Sequence, residues 1–162
     1  MDNVANKIII RELLPSEYPL IKDFTFISMF APPDQEPYGI EFLDHPVVIP
    51  YHVNFGNNDG DYAVAAEIDG KIAGISWSRI FPLHDYGIND LPVLCMAVLP
   101  EYRRMGLGRR TLTKLHEILA KNGYKKIALT VHKENHAQYL YKDMGYIVKG
   151  GAGVEIFMIK EN

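Results

Sequence analysis

Residues 98–110, Val-Leu-Pro-Glu-Tyr-Arg-Arg-Met-Gly-Leu-Gly-Arg-Arg, bring together groups that can hold an anion. The apolar run 91–98 (LPVLCMAV) reads as a strand buried on both faces and ending at Val98. A turn follows, and a helix is expected to begin at Gly106-Leu107-Gly108. The first-turn N–H groups of such a helix have no intrahelical acceptor and stand at the positive end of its dipole, so they attract anions. Glycines at 106 and 108 leave the backbone open to a phosphate, and Arg103, Arg104 and Arg109 add positive charge beside it. That is the chemistry a pyrophosphate requires. A Gly-x-Gly after a strand is also compatible with a tight turn and nothing more. The dinucleotide fingerprint needs a third glycine where Thr111 stands, and the P-loop lysine is absent.

A second group of polar residues follows at 131–146, Val-His-Lys-Glu-Asn-His-Ala-Gln-Tyr-Leu-Tyr-Lys-Asp-Met-Gly-Tyr. Asn135 is expected to cap a short helix over 136–144 that Gly145 closes. Ala137, Leu140 and Met144 recur at helical spacing and fit core packing. Tyr141 on the same helix is either a core aromatic with its hydroxyl satisfied or a positioned proton donor. Cys95 lies in an apolar strand, where a thiol usually packs and does not react. The six histidines are scattered, and His132 and His136 straddle a strand end and a helix start; no metal is expected.

These residues need a scaffold, and the hydrophobic patterning supplies one. Residues 7–13 read as a strand and 16–30 as a helix capped by Ser16, with Pro19 in its first turn. Residues 31–60 are irregular and hold five prolines, with one short helix expected near 38–44. A stretch of this length is either functional or a variable surface loop. Residues 62–69 and 71–81 form a hairpin across Asp69-Gly70, and 82–90 form a second polar loop. Residues 106–121 read as a helix ended by Asn122-Gly123, with Gly108, Leu112, Leu115 and Leu119 on one side. Strands over 125–131, 146–149 and 154–160 complete the order β-α-β-β-β-α-β-α-β-β. The fold class is α/β (an α+β mixed sheet of about seven strands) with helices on both faces, and the strands at 91–98 and 125–131 should lie parallel.

Bulk composition narrows the function. The chain has 162 residues, 48% apolar and 23% charged, which suits one globular domain over 1–162. No apolar run approaches a membrane-spanning length, and MDNVANKIII lacks the pattern of a signal peptide. The single cysteine agrees with a reducing cytoplasm. A net charge of −3 argues against a general nucleic-acid binder.

The pattern of a strand ending in Val98-x-Pro100, followed by Arg103-x-x-Gly106-x-Gly108 and a helix, resembles the coenzyme-A-binding motif of the GNAT superfamily of N-acetyltransferases. The run from Asn135 through Ala137, Leu140 and Tyr141 to Gly145-Tyr146 is similar to that family's second signature, with Tyr146 for the usual Phe. The close resemblance spans residues 91–149, about a third of the chain. It implies an acetyl-CoA-dependent N-acetyltransferase fold and direct acetyl transfer to a primary amine of a small molecule or peptide. On that resemblance Arg103, Arg104, Met105, Gly106, Leu107, Gly108 and Arg109 wrap the pyrophosphate, while Met96, Ala97 and Val98 hold the pantetheine arm as an added strand. Asn135 also lies near that arm, and Tyr141 returns a proton to the departing thiolate. Relatives place a Glu or His base on the fourth strand, where this chain has Pro92 and Leu94. Glu67, His84 and Asp90 are the alternative bases, or a water relay serves. Phe30, Tyr38, Phe42, Tyr51 and His84 are expected to line the acceptor pocket. A homodimer is expected because many relatives form one. A non-catalytic acyl-CoA sensor and transfer of a larger acyl group such as succinyl are the competing readings.

Overall fold

The computed structural model describes residues 5–162. Residues 1–4, on which the expected absence of a leader partly rests, lie outside the described residues. The strands are β1 (Ile8–Glu12), β2 (Tyr62–Ile68), β3 (Lys71–Ile80), β4 (Pro92–Val98), β5 (Lys126–His132), β6 (Ile147–Ala152) and β7 (Glu155–Glu161). The helices are α1 (Leu20–Ser28), α2 (Leu107–Lys121) and α3 (Ala137–Asp143). The elements follow the expected order, and the seven strands join in one mixed sheet, β1-β2-β3-β4-β5-β7-β6. Among the described strands only β4 and β5 run parallel, with α2 as their crossover. No described helix is long and apolar enough to cross a membrane.

Local chemistry accounts for several of these boundaries. Asp69 (φ 49°) and Gly70 (φ 86°) both adopt left-handed backbone, as a two-residue hairpin turn requires, and this fixes the β2–β3 register. Alternation along β2 sends Ala63 and Ala65 to the α1 face, where they pack with Phe24, Ile75 and Trp77. Val64 faces the opposite side and joins Leu112, Leu115 and Leu119 of α2, Leu129 of β5 and Tyr141 of α3. Helices therefore cover both faces, α1 on one and α2 with α3 on the other. Burying these two apolar layers is the main source of stability.

Two local expectations are corrected. The first helix starts at Leu20, not at 16, because Pro15–Glu17 form a separate 3-10 turn. Glu17, rather than Ser16, supplies the side-chain acceptor there, taking the Leu14 N–H at 2.8 Å, and Ser16 is exposed. The short helix expected near 38–44 is a 3-10 turn over Ile40–Asp44.

The irregular stretch after α1 is held by buried polar contacts from β3. The Arg79 guanidinium pairs with the Asp61 carboxylate at 3.0 Å and donates to the carbonyls of Pro50 and Val53. Trp77 Nε1 donates to the Tyr51 carbonyl at 3.0 Å, and Ser78 Oγ donates to the Gly60 carbonyl at 2.8 Å. These bonds satisfy carbonyls that have no strand or helix partner, and they fasten residues 50–61 across the α1 face.

Candidate active site

β4 and β5 set the site by failing to stay together. Val93 and Ala128 are their single paired position, whereas β3 and β4 pair continuously from Ile80↔Pro92 to Gly74↔Val98. Beyond Val93 the β5-facing edge of β4 has no strand partner, so its backbone groups are open to an extended ligand.

At the end of β4 the chain builds an anion cradle. Gly106 caps α2 in the left-handed region (φ 77°), and Arg104 just before it is left-handed as well (φ 63°), which swings the loop over the start of the helix. Arg110 N–H is the first to reach back, to the Gly106 carbonyl, leaving the preceding first-turn N–H groups for a ligand. No acidic residue stands in that first turn. The cradle opens into a cavity of about 700 Å³. Arg103, Arg104, Gly106, Leu107, Gly108 and Arg109 line one end of it, and Met96, Ala97, Val98 and Asn135 line the other. Met105 is the exception among the expected cofactor residues: it is exposed on the outer side of the loop and does not line the cavity. The donor set and free amides suit a pyrophosphate.

Two residues in this region have more definite reasons than the sequence suggests. A Cβ on Gly108 would come within 2.8 Å of Met96 Sδ, so this glycine lets α2 approach β4 as well as leaving room for a ligand. Thr111, which replaces the third glycine of a dinucleotide site, is buried and bonded to Ser76 Oγ at 2.7 Å, tying α2 to β3. Arg103 Nε donates to the Val98 carbonyl at 3.0 Å, and Arg109 pairs with Asp143 of α3 at the exposed rim.

A second cavity, of about 390 Å³, adjoins the first and is lined by Leu94, Cys95 and Met96 of β4. Met96, Asn135 and Ala137 form walls of both. The structure brings all four expected acceptor aromatics to it: Phe30, Tyr38, Phe42 and Tyr51. Tyr38 packs on Phe42 (centroids 4.5 Å apart), and Phe30 packs on His132 (5.1 Å). Asn135 Oδ1 accepts the Ala137 N–H at 2.9 Å, the expected cap of α3.

Tyr141 lies one turn into the same helix. Tyr141 is 7% exposed, yet its hydroxyl forms no hydrogen bond with another described residue and opens onto the second cavity. Burial raises its pKa well above the usual phenol value, with Cys95 and Tyr51 adding to the shift, so it remains protonated at neutral pH. Cys95 also faces this cavity. Burial lifts its thiol to about 11 despite its contact with Ser28 Oγ, which leaves it a protonated, weak nucleophile.

None of the three bases named from the sequence lines either cavity. Glu67 is taken by Arg11 Nε at 2.8 Å where β1 and β2 pair, and Arg11 is shared with Glu17. His84 and Asp90 are both exposed in the loop between β3 and β4, and His84, also expected in the acceptor pocket, does not line the second cavity. The carboxylate that does line the second cavity is Glu155, at the start of β7, which accepts a hydrogen bond from the Tyr86 hydroxyl at 2.8 Å. Burial, then that bond, raises Tyr86 to about 12. No local pattern marks Glu155. It reaches the site because β7 inserts between β5 and β6, in a register that sets Glu155 beside His132.

With this geometry, the similarities to known proteins have a physical counterpart. The sequence model of the acetyltransferase (GNAT) family matches residues 19–146. A comparison with curated proteins finds no match. Among solved structures, the chain is similar to the PaiA N-acetyltransferase of Thermoplasma acidophilum in complex with coenzyme A (21% identity, 96% of this chain and 99% of that one, TM-score 0.71). It is also similar to an acetyltransferase of the GNAT family from Streptococcus pneumoniae (22% identity, 96% and 100% coverage, TM-score 0.69). A putative acetyltransferase of Salmonella typhimurium, solved with acetyl-CoA, shares the fold at 16% identity (95% and 93% coverage, TM-score 0.66).

Proposed function

The chain belongs to the acetyltransferase (GNAT) family, and from that premise we propose that it moves an acetyl group directly from acetyl-CoA to a primary amine of a small molecule or peptide. Residues 1–162 serve as one domain for this reaction, in a reducing cytoplasm. The observation that carries the reading is the open edge of β4 between an anion cradle and an aromatic cavity holding the free Tyr141 hydroxyl.

The first-turn amides of α2, with Arg103, Arg104 and Arg109, hold the pyrophosphate. The backbone of Met96, Ala97 and Val98 pairs with the pantetheine arm, and one of its N–H groups polarises the thioester carbonyl. Asn135 fixes α3 through Oδ1 and keeps its amide N–H groups for the arm. The acceptor amine gives its ammonium proton to water in the cavity mouth, since Glu67, His84 and Asp90 are not there to take it. Its nitrogen then attacks the thioester carbon and the C–S bond breaks. Tyr141 gives its hydroxyl proton to sulfur and regains one from the acylated nitrogen. Ammonium and thioester thus become amide, thiol and one released proton.

Calorimetric titration with acetyl-CoA, beside a folded Gly106→Glu/Gly108→Glu variant, tests the cofactor half. The wild type is expected to bind at micromolar Kd and the variant to lose binding, because two carboxylates enter an anion site. Wild type without binding would refute the reading. Binding without thiol release for any amine would make the protein a sensor instead of an enzyme.

A further inference from the structure

We infer that Glu155 is the acceptor's ammonium anchor, and that the acceptor is a compact monoamine with an apolar or aromatic body and no carboxylate. The inference rests on the acetyl-transfer reading and gives it a substrate class.

Glu155 is half-buried on the wall of the 390 Å³ cavity. Tyr86 donates to one carboxylate oxygen, and among the described residues no Lys or Arg comes within ion-pair distance of it. A half-buried carboxylate with no Lys or Arg beside it attracts a cation, and it stands on the wall of a cavity open to one. The rest of the wall supplies no fixed cation, since neither Lys nor Arg lines the cavity. Its two histidines are held by local backbone. His45 Nδ1 accepts the Val47 N–H at 3.2 Å, and His132 Nδ1 accepts the Glu134 N–H at 3.0 Å.

Four aromatic rings stand in the wall among aliphatic and hydroxyl-bearing side chains. Phe30, Tyr38, Phe42 and Tyr51 offer apolar contact to a ligand body and ring faces to a cation. On a monoamine the ammonium that Glu155 anchors is also the nitrogen that reacts, once it has passed its proton to water. One carboxylate, no Lys or Arg and four aromatic rings together favour a single ammonium on an apolar body. An amino acid would bring a carboxylate with no Lys or Arg to pair with it, and a polyamine would bring further ammonium groups with no second carboxylate.

The test compares 2-phenylethylamine, phenylalanine (the same body with a carboxylate added) and spermidine as acceptors, following CoA thiol release, for wild type and Glu155→Gln. Acetyl-CoA Kd is measured in parallel. The expected result is a kcat/KM for 2-phenylethylamine roughly 10–100-fold above the other two, and a similar rise in its KM in Glu155→Gln with acetyl-CoA Kd unchanged. Glutamine keeps the acceptor for Tyr86, and the selectivity of the wild type stands as evidence even if the variant fails to fold. Equal use of phenylalanine, preference for spermidine, an unchanged KM in Glu155→Gln, or acetyl-CoA binding with no turnover of any of the three would overturn the assignment while sparing the cofactor site. Failure to bind acetyl-CoA would remove the acetyl-transfer reading itself.

Discussion

Replacing Tyr141 by Phe separates chemistry from packing, because its hydroxyl has no protein partner to lose. The ring is 7% exposed and packs edge-on against Tyr146, with centroids 5.8 Å apart and planes at 65°. Phe keeps all of that contact. Stability should therefore change by no more than about 0.5 kcal/mol. If Tyr141 protonates the leaving thiolate, kcat should fall by about 10²–10⁴, which is about 3–5 kcal/mol of barrier. Acetyl-CoA Kd should hold. Tyr146→Phe is the internal control: that hydroxyl is bonded to His116 Nε2 at 2.8 Å, so its loss should cost about 1–3 kcal/mol of stability and leave kcat near wild type. Thermal melts and initial rates of thiol release on the two variants provide the comparison. Because burial raises the Tyr141 pKa, the wild-type rate should show no loss from its ionisation below about pH 10. A Tyr141→Phe protein that melts early but keeps its kcat would refute the catalytic role and make the residue an ordinary core aromatic.

Two further predictions concern the scaffold. Arg79→Met strands the Asp61 carboxylate, whose side chain is 1% exposed, and should cost about 3–5 kcal/mol in a denaturant melt, with partial recovery on adding Asp61→Asn. A loss under about 1 kcal/mol would mean that the buried pair does not hold residues 50–61. His116 is 8% exposed, and burial, aided by Lys160, lowers its pKa from 6.5 to about 4. Between those values the unfolded chain binds a proton that the folded chain refuses, so stability is full above about pH 6.5 and falls as pH drops toward 4. The loss should be of order 2–3 kcal/mol, and melts of His116→Gln across that range should lack this component.

The sequence carried the parts of the site that are local. A buried strand, a Gly-x-Gly and a helix start are contiguous, so the backbone chemistry of 103–109 offered an anion site beside a bare tight turn, and the resemblance of the flanking residues favoured the first; the Asn135 side-chain contact at the start of α3 is equally local. Periodicity gave the element order for the same reason: each strand or helix face is set by neighbours a few positions away. Ser16 shows the limit of even local reading, since a capping residue type lost to Glu17 and a proline-led 3-10 turn. Tertiary structure decided what depends on distant segments meeting. Glu67 has the right chemistry for a base, but strand pairing delivers it to Arg11. Glu155 carries no motif, but the insertion of β7 between β5 and β6 delivers it to the wall of the 390 Å³ cavity. The end of the irregular 31–60 stretch is fixed by Arg79 and Trp77 of β3, which are distant in sequence. A side chain's type fixes what it can do, while the register of strands far apart in the chain fixes whether a substrate will ever meet it.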